Sequence, residues 1–310
     1  MVEMTMAPEI KGGEAMKMKI GFIGFGEAAY NLTAGLIGEG LNAVLAYDKY
    51  WNDDSRGELI RGRAEETGTT LLPSLQALVE SCGMIISAVS ADMAVELAES
   101  AKPFLKPDKL YVDVNAAAPM TKEKINSIIS GDAMFVDCAI MGPVPPYRHK
   151  VPMLVCGDGA ALFHETMTPY NMKISIMDSP AGGASASKMF RSIFVKGFVM
   201  LLMETLVAAH KYGIEDDILS SINKTIGSGS FLENINGLVT RGVIHSERRE
   251  HEMAEVIATL DALQLDGIMS RATKEKLRWT TELGLREYFK GVPPEDFHEI
   301  FKPLEKILPA

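Results

Sequence analysis

Short apolar runs alternate with amphipathic stretches along the first half of the chain. Runs rich in aliphatic and aromatic residues predict β-strands at 19–23, 43–47, 83–89, 109–115, 133–138, 151–156 and 173–177. Apolar positions at helical spacing predict helices between them, at 30–37, 74–80, 93–101 and 120–129. Strands that alternate with helices in this way predict the α/β class, with a doubly wound and mainly parallel sheet.

The pattern changes after Gly183, where the strand patterns end and the chain becomes all-helical. The segment 184–212 is apolar on almost every side, and we expect it to be buried between domains or protomers. Charged residues interrupt it, and without a run of about 20 apolar residues it is not expected to span a membrane. The predicted division is a disordered tail at 1–17, a sheet domain at 18–181 and a helical domain at 182–310.

Composition and charge narrow the range of partners. A chain of 310 residues exceeds the usual size of a single core, which agrees with two domains. The net charge of −10, without a basic run, argues against nucleic acid as a partner. The 3 cysteines lack metal-ligand spacing and are interpreted as core residues. Residues 1–17 lack the apolar core of a signal peptide, so we expect a cytoplasmic protein.

A glycine-rich turn follows the first predicted strand, with the sequence Gly-Phe-Gly-Glu-Ala-Ala at residues 24–29. Gly24 allows a tight turn, Gly26 lets the backbone approach a pyrophosphate, and Ala29 allows the following helix to pack closely on the strand. The second predicted strand ends at Asp48, about 20 residues further on, where an acid can bind the adenosine ribose. Strand, turn, helix and acid together predict a dinucleotide site.

The predicted dinucleotide site extends to loops after later strands, because ligands of such sheets bind at the carboxyl ends of the strands. Its predicted residues are Gly24, Phe25, Gly26, Glu27, Ala28, Asp48, Ala88, Val89, Ser90 and Asn115. A carboxylate at position 48 binds a 2′-hydroxyl and repels a 2′-phosphate, so NAD is the preferred cofactor. NADP stays open because of nearby cations at Lys49, Arg56, Arg61 and Arg63.

Lys188 lies at the start of the apolar helix, after a turn rich in Gly, Ala and Ser. A lysine in a first helical turn is usually solvated, but here small residues allow close approach and Ser192 follows one turn later. Desolvation and a nearby cofactor lower the pKa of a lysine toward neutrality, as a proton acceptor for an alcohol requires. We therefore expect Lys188 to act as the general acid/base of a hydride-transfer enzyme.

Five motifs then occur in order along the chain. Besides the segment around Lys188, they are Gly-Phe-Ile-Gly-Phe-Gly at 21–26, Val-Asp-Val-Asn-Ala-Ala-Ala-Pro at 112–119, Asp-Cys-Ala-Ile-Met-Gly at 137–142 and Gly-Ser-Gly-Ser-Phe at 227–231. In these motifs the chain resembles the β-hydroxyacid dehydrogenases, which include 3-hydroxyisobutyrate dehydrogenase and 6-phosphogluconate dehydrogenase. The resemblance implies a Rossmann domain, an all-helical domain joined by a long helix, and a homodimer or homotetramer. It also implies NAD(P)-linked oxidation of a 3-hydroxy acid, with the catalytic lysine at Lys188.

The chain departs from the family pattern at the expected substrate site. The family's carboxylate-binding serine and glycines correspond here to Met141, Gly142 and Pro143, and the asparagine after its lysine corresponds to Ser192. Arg191 can bind a carboxylate or phosphate through two hydrogen bonds, or pair with an acid at the domain boundary. The expected substrate-binding residues are Asn115, Met141, Gly142, Pro143, Arg191, Ser192, Phe231 and His251.

Two further segments have open interpretations. His251 and Glu252 stand near a Lys-Asp pair of the family, but charged residues at this spacing also form solvated helix faces. A metal site built from the histidines of this segment is not expected. The proline-rich loop at 143–150 either lines the site or forms a rigid surface loop.

Three classes of function therefore stand side by side. The leading one is an NAD(P)-dependent dehydrogenase or reductase of a small polar hydroxy acid or aldehyde, with Lys188 as acid/base. Imine reduction on the same scaffold is an alternative, and the presence of Lys188 argues against it. The other alternative is a non-catalytic dinucleotide-sensing protein, which the missing carboxylate-binding serine favours.

Overall fold

A computed structural model describes residues 18–227 and 229–307 of the chain. The tail predicted at 1–17 lies outside the described residues. The chain divides into a first unit that ends at Arg191 and a second unit that begins at Ser192. This division falls inside one long helix, later than the predicted boundary after residue 181.

The first unit contains an eight-stranded sheet. Its strands are β1 (Ile20–Ile23), β2 (Val44–Tyr47), β3 (Thr70–Leu71), β4 (Met84–Ser87), β5 (Leu110–Asp113), β6 (Met134–Ile140), β7 (Met153–Cys156) and β8 (Ile174–Ile176). Their order is β3-β2-β1-β4-β5-β6-β7-β8, and every neighbouring pair is parallel except β6 with β7. The prediction of a doubly wound, mainly parallel sheet is confirmed.

Helices connect the strands of the first unit. They are α1 (Glu27–Gly38), α2 (Gly57–Thr67), α3 (Leu75–Ser81), α4 (Ala94–Ala101), α5 (Pro119–Ile129), α6 (Val144–Tyr147) and α7 (Ala160–Met167). The Ser74 hydroxyl accepts a hydrogen bond from the Ala77 N–H at 3.1 Å and so caps α3. Pro119 occupies the first turn of α5, where its missing N–H costs no hydrogen bond. The sequence patterns predicted α1, α3, α4 and α5 but missed the mostly polar α2 and the short α6 and α7.

Apolar side chains cover both faces of the sheet. Every residue of β1, β4 and β5 is buried, as expected for parallel strands between two helical layers. Successive residues point to opposite faces, so Met84 and Ile86 join one apolar cluster and Ile85 joins the other. Because both faces are closed, ligands reach the strands at their ends, and ligands of such sheets bind at the carboxyl ends.

The remaining described residues are all-helical. Their helices are α8 (Gly183–His210), α9 (Glu215–Ile226), α10 (Phe231–Ile244), α11 (Ser246–Ala262), α12 (Ile268–Glu282), α13 (Leu285–Tyr288) and α14 (Phe301–Ile307). Helix α8 begins in the first unit and continues into the second. Ser230 and Glu233 form a reciprocal capping box at the start of α10. The predicted helical domain, joined to the sheet domain by a long helix, is confirmed.

Helix α8 is long and apolar, but most of its apolar surface is exposed. By length and composition it is the one helix among the described residues that could cross a membrane, although charged residues interrupt it. A single such helix is weak evidence for a membrane span, because protein-core helices share this composition. Only 6% of its most apolar 18-residue window is buried. The composition of α8 indicates burial, but it does not specify what covers the helix.

Candidate functional site

The turn between β1 and α1 is built around Gly24. Its φ of +82° lies in the left-handed region, and a Cβ atom there would stand 2.6 Å from the carbonyl oxygen of Ala88. The Gly24 N–H donates to the carbonyl oxygen of Tyr47 at 2.8 Å. Only glycine satisfies both this backbone conformation and this close approach. The turn is therefore held against the carboxyl ends of β2 and β4.

The N-terminus of α1 is open beyond this turn. Gly26 is the N-cap residue, and its backbone has an extended conformation without a side-chain cap on the helix. A Cβ atom at Gly26 would meet no atom within 4 Å. The N–H groups at the start of a 12-residue helix carry a partial positive charge that favours phosphate. This end of the helix therefore fits the pyrophosphate of a dinucleotide.

Asp48 directly follows β2 and ties it to the glycine turn. One carboxylate oxygen accepts from the Phe25 N–H at 2.8 Å, and the other accepts from the Tyr50 N–H at 2.9 Å. Phe25 is fully buried, so it takes part through its backbone. Each carboxylate oxygen has capacity for a second hydrogen bond, and Asp48 can still accept from ribose hydroxyls.

A cavity of about 790 Å³ lies beside the turn. It is at the point where strand order reverses, with β2 on one side of β1 and β4 on the other. The predicted residues that line it are Gly24, Gly26, Glu27, Ala28, Asp48, Ala88, Val89 and Ser90. A second part of the lining was not predicted from the sequence and consists of Leu75, Asp92, Met93, Glu96, Leu97 and Ser100. Most of these residues lie just after β4, where the rule of carboxyl-end binding could have identified them.

Charges of both signs surround the cavity near Asp48. The Lys49 Nζ atom and the Arg56 guanidinium lie 4.9 Å and 4.6 Å from the centroid of the Tyr50 ring. On the other side, hydrogen bonding from the Ser90 side chain holds the pKa of Asp92 below its ordinary value. Hydrogen-bond acceptors for hydroxyl groups and cations for a phosphate therefore occur side by side.

Asn115 is buried in the loop after β5. Its Oδ1 accepts from the Val89 N–H at 2.6 Å, and its Nδ2 donates to Ser87 Oγ and Asp113 Oδ2, both at 2.9 Å. Both amide hydrogens are thus donated within the protein. Asn115 does not line the cavity, but it binds the backbone of the loop that does.

Lys188 lies in the second turn of α8 and is half-buried. The start of this helix is bound by Asp137 of β6, which accepts from the backbone N–H groups of Gly182 and Ser185 at 3.1 Å and 3.0 Å. Asp137 also accepts from the Ser185 hydroxyl at 2.7 Å. A carboxylate at a helix N-terminus is stabilised by the free N–H groups. The sheet therefore fixes the turn that precedes Lys188, although Lys188 does not line the cavity.

The residues expected to replace the family's carboxylate-binding loop follow β6. The Met141 N–H donates to the carbonyl oxygen of Pro152 at 2.8 Å, and its side chain packs against the small cluster that contains Ala184 of α8. Gly142 and Pro143 are exposed. Met141 thus lies near the start of the helix that carries Lys188.

The proline-rich loop at 143–150 packs along α1. His149 is buried so close to Gly35 that a Cβ atom at Gly35 would stand 1.9 Å from its Nδ1 atom. Burial lowers the pKa of His149 below its ordinary value. Lys150 pairs with Glu39 at 2.6 Å. These contacts agree with the interpretation as a rigid surface loop.

The other expected substrate residues are divided between the units. Arg191 is the last residue of the first unit and is exposed, whereas Ser192 is the first residue of the second and is half-buried. Phe231 belongs to the second unit, where its ring meets the Phe194 ring edge-on with centroids 6.3 Å apart.

His251 is exposed on α11. On the same helix Arg248 and Glu252 form an ion pair between exposed side chains. This arrangement is typical of a solvated helix face, the second interpretation of the segment. Among residues 18–227 and 229–307, no three His, Cys, Asp or Glu side chains are grouped to hold a metal ion.

The cysteines belong to the core of the first unit, as interpreted from the sequence. Cys82, Cys138 and Cys156 are free thiols, and all three are buried. Burial raises the pKa of Cys82 to about 11 and that of Cys138 to about 12. Such thiols are poor nucleophiles at neutral pH.

Two families match separate parts of the chain. Residues 19–117 match a family described as NADP oxidoreductase, coenzyme F420-dependent, and residues 209–280 match a domain of unknown function, DUF1932. An uncharacterized 28.5 kDa protein of Methanothermus fervidus is 30% identical over 273 residues, which are 86% of this chain and 100% of that protein.

Solved structures extend the similarity to the whole fold. The conserved protein MTH1747, described as similar to 3-hydroxyacid dehydrogenases, is 32% identical with a TM-score of 0.61, over 87% of this chain and 99% of that chain. 3-Hydroxyisobutyrate dehydrogenase of Mycobacterium tuberculosis (15% identity, TM-score 0.60, over 85% and 93%) shares the fold. So does an imine reductase of Myxococcus stipitatus in complex with NADP+ (15%, 0.65, over 86% and 95%). With its glycine turn and helical second domain, the chain belongs to the β-hydroxyacid dehydrogenase family of NAD(P)-dependent oxidoreductases, in a branch with a divergent C-terminal domain.

Proposed function

We propose that this protein transfers hydride between NAD(P) and a 3-hydroxy acid or the corresponding aldehyde or keto acid. The observation that carries the proposal is the cavity bordered by the Gly24 turn, the open start of α1 and Asp48. When bound, the nicotinamide supplies the hydride acceptor or donor. The protein supplies binding, orientation and proton transfer.

Lys188 is the proposed general acid/base. Its amine takes the proton of the substrate hydroxyl as the carbinol carbon is oxidised, and its ammonium returns a proton to the carbonyl oxygen in reduction. The half-buried position supports this role, because it partly shields the side chain from water. The bound start of α8 supports it too, because a proton donor must be held in place.

The proposed substrate is small and polar. Gly142 offers a backbone N–H and Arg191 offers a guanidinium that can bind a carboxylate through two hydrogen bonds. Met141 takes the place of a polar residue in the family pattern, so we propose that Arg191 replaces its contact with the carboxylate. Asn115 and Pro143 of the first unit are also part of the proposed substrate set.

NAD is the preferred cofactor in this proposal. Asp48 lines the cavity at the end of β2, where its carboxylate repels a 2′-phosphate. Lys49 and Arg56 line the same cavity and are the residues that would hold a phosphate if NADP is bound instead.

We further propose a homodimer or homotetramer that acts in the cytoplasm. The apolar side chains of α8 support the first point, because contiguous exposed apolar surface marks protein interfaces. The three free thiols support the second, because they agree with a reducing compartment.

A substrate panel tests the reaction. Absorbance of the reduced nicotinamide is followed with 3-hydroxy acids, sugar acids, small aldehydes and a cyclic imine, each with NAD(H) and with NADP(H). We expect turnover of a hydroxy acid or its carbonyl product. Turnover of the imine alone would favour imine reduction, and tight nucleotide binding without any turnover would favour a sensing protein.

A further inference from the structure

A row of buried polar side chains crosses the carboxyl edge of the sheet. Ser87 of β4, Asp113 of β5 and Asp137 of β6 are register partners on adjacent parallel strands. All three side chains are fully buried. Two neighbouring carboxylates repel each other, and the repulsion is stronger away from water. A cation between the two carboxylates offsets this repulsion.

Lys122 of α5 supplies that cation. Its side chain is fully buried, and its Nζ donates to Asp113 Oδ1 at 2.5 Å and to the Asp113 carbonyl oxygen at 2.8 Å. The same Nζ lies 3.6 Å from Asp137 Oδ1. Lysines are almost never fully buried unless they are paired. Lys122 thus lies between two carboxylates that belong to neighbouring strands.

Hydrogen bonds connect one of these carboxylates, Asp113, to the cavity. Asp113 accepts from the Asn115 backbone N–H at 3.0 Å and from its side-chain Nδ2 at 2.9 Å. Asn115 in turn accepts from the Val89 N–H, and Val89 lines the cavity. The loop at residues 88–90 is therefore bonded to Lys122 through two intermediate side chains.

Hydrogen bonds connect the other carboxylate, Asp137, to the start of α8. Asp137 binds Gly182 and Ser185 at the start of the helix. Because an α-helix has about 3.6 residues per turn, Lys188 follows Ser185 by about one turn. A displacement of the Asp137 carboxylate would thus be passed to the turn that presents Lys188.

We propose that Lys122 is a positioning residue that couples the loop at 88–90 to the start of α8. By holding Asp113 and Asp137 together, it keeps the nucleotide loop and the helix turn before Lys188 in one fixed arrangement. Its effect on turnover rests on the proposed function, whereas the coupling of the two segments does not.

Lys109 provides a matched control. It is a second buried lysine of the first unit, 6% exposed, at the opposite end of β5. Its Nζ donates to the carbonyl oxygens of Val79 and Cys82, both at 2.7 Å, rather than to carboxylates. Lys122→Met and Lys109→Met each remove one buried cation, but only the first breaks the proposed coupling.

The experiment measures amide hydrogen exchange and turnover of both variants in the full chain. We expect Lys122→Met to raise exchange about tenfold or more at 88–90 and at 182–188 together. Its kcat should fall about tenfold or more with the nucleotide KM within about threefold, because the Gly24 turn and Asp48 are untouched. Lys109→Met should raise exchange near 79–82 and keep kcat within about twofold of wild type.

Equal changes in the two lysine variants, or faster exchange in only one of the two segments, would overturn the proposal. If Lys122→Met does not fold, Ser185→Ala replaces it, since it removes one hydrogen bond and no charge. This variant should raise exchange in both segments, and a rise confined to α8 would disprove the coupling. A wild-type protein without turnover on the substrate panel would contradict the proposed function, while the exchange result would still decide the coupling.

Discussion

The two units of this chain cover their apolar residues to very different extents. In the first unit, two apolar clusters close both faces of the sheet. Among the described residues of the second unit, the buried apolar side chains are only Ala209, Ile244, Leu260, Leu285, Ile300 and Pro303. Large apolar side chains there are exposed instead, among them Ile193 at 74%, Leu232 at 76% and Ile268 at 65%.

This difference indicates separate roles for the two units. A closed core can hold a tight glycine turn and a row of buried charges in place, and both occur in the first unit. Exposed apolar surface is stabilised when a partner covers it, and the second unit has most of that surface. The first unit is therefore expected to bind nucleotide, and the second to determine assembly.

The largest expected effect concerns assembly. Ile193→Lys puts a charge on the exposed apolar surface of α8, and a symmetric interface contains the change twice. With about 1.5–3 kcal/mol per buried side chain, the dimer Kd should rise about 100-fold or more. Leu59→Lys is the control, because Leu59 is 60% exposed on α2 of the first unit. Analytical ultracentrifugation measures both, and an unchanged Kd for Ile193→Lys would remove the distinction between the units.

The next effect concerns nucleotide binding by the first unit. Gly24→Ala combines a left-handed φ with a Cβ atom 2.6 Å from the Ala88 carbonyl oxygen. Strain of about 1–3 kcal/mol should weaken nucleotide affinity about 5- to 150-fold, with assembly unaffected. Gly38→Ala on α1 is the control, because a Cβ atom there meets nothing within 4 Å. Calorimetric titration with NADH distinguishes them, and equal affinities would argue against the turn as the phosphate site.

A smaller effect concerns the choice of cofactor. Asp48→Asn removes the carboxylate charge at the end of β2 but keeps an oxygen that can accept from Phe25 or Tyr50. The ratio of NADP to NAD affinity should rise about tenfold, because repulsion of the 2′-phosphate is lost. Arg56→Ala should lower NADP affinity alone. A ratio that Asp48→Asn leaves unchanged would show that this carboxylate does not select the cofactor.

The smallest effect concerns pH. Burial lowers the pKa of His149 below its ordinary value, although the nearby Glu39 opposes this. Below about pH 6.5 the unfolded chain takes up this proton more readily than the folded one. The free energy of unfolding should therefore decrease as the pH falls through that range, and less so in His149→Gln. His164→Gln is the control, and urea titrations at several pH values would refute the prediction if both variants behave like wild type.

Sequence patterns predicted the parts of the first unit that depend on local order. The apolar run of β1, the glycine turn and Asp48 are recognisable because their chemistry depends on spacing along the chain. Phe25 was predicted as a cofactor residue from its place in the motif. Its side chain is fully buried, and its backbone N–H donates to Asp48.

Other features depend on contacts between distant segments and could not be predicted in this way. Lys122 stands in a helix where a lysine usually faces solvent, and its burial follows from the pairing of Asp113 with Asp137 across two strands. The surface that packs against α8 could not be predicted from the sequence either. The composition of the helix indicates burial, but the surface that buries it is not encoded in the helix itself.

The most direct test of the proposed chemistry compares two lysines of α8. Lys188→Ala should lower kcat about 100- to 10,000-fold while nucleotide affinity stays nearly unchanged, as for the loss of a general acid/base. Lys196→Ala, two turns further along and exposed, is the control and should keep wild-type turnover. Nicotinamide absorbance with the best substrate of the panel measures both. Turnover of Lys188→Ala within about twofold of wild type would contradict the account.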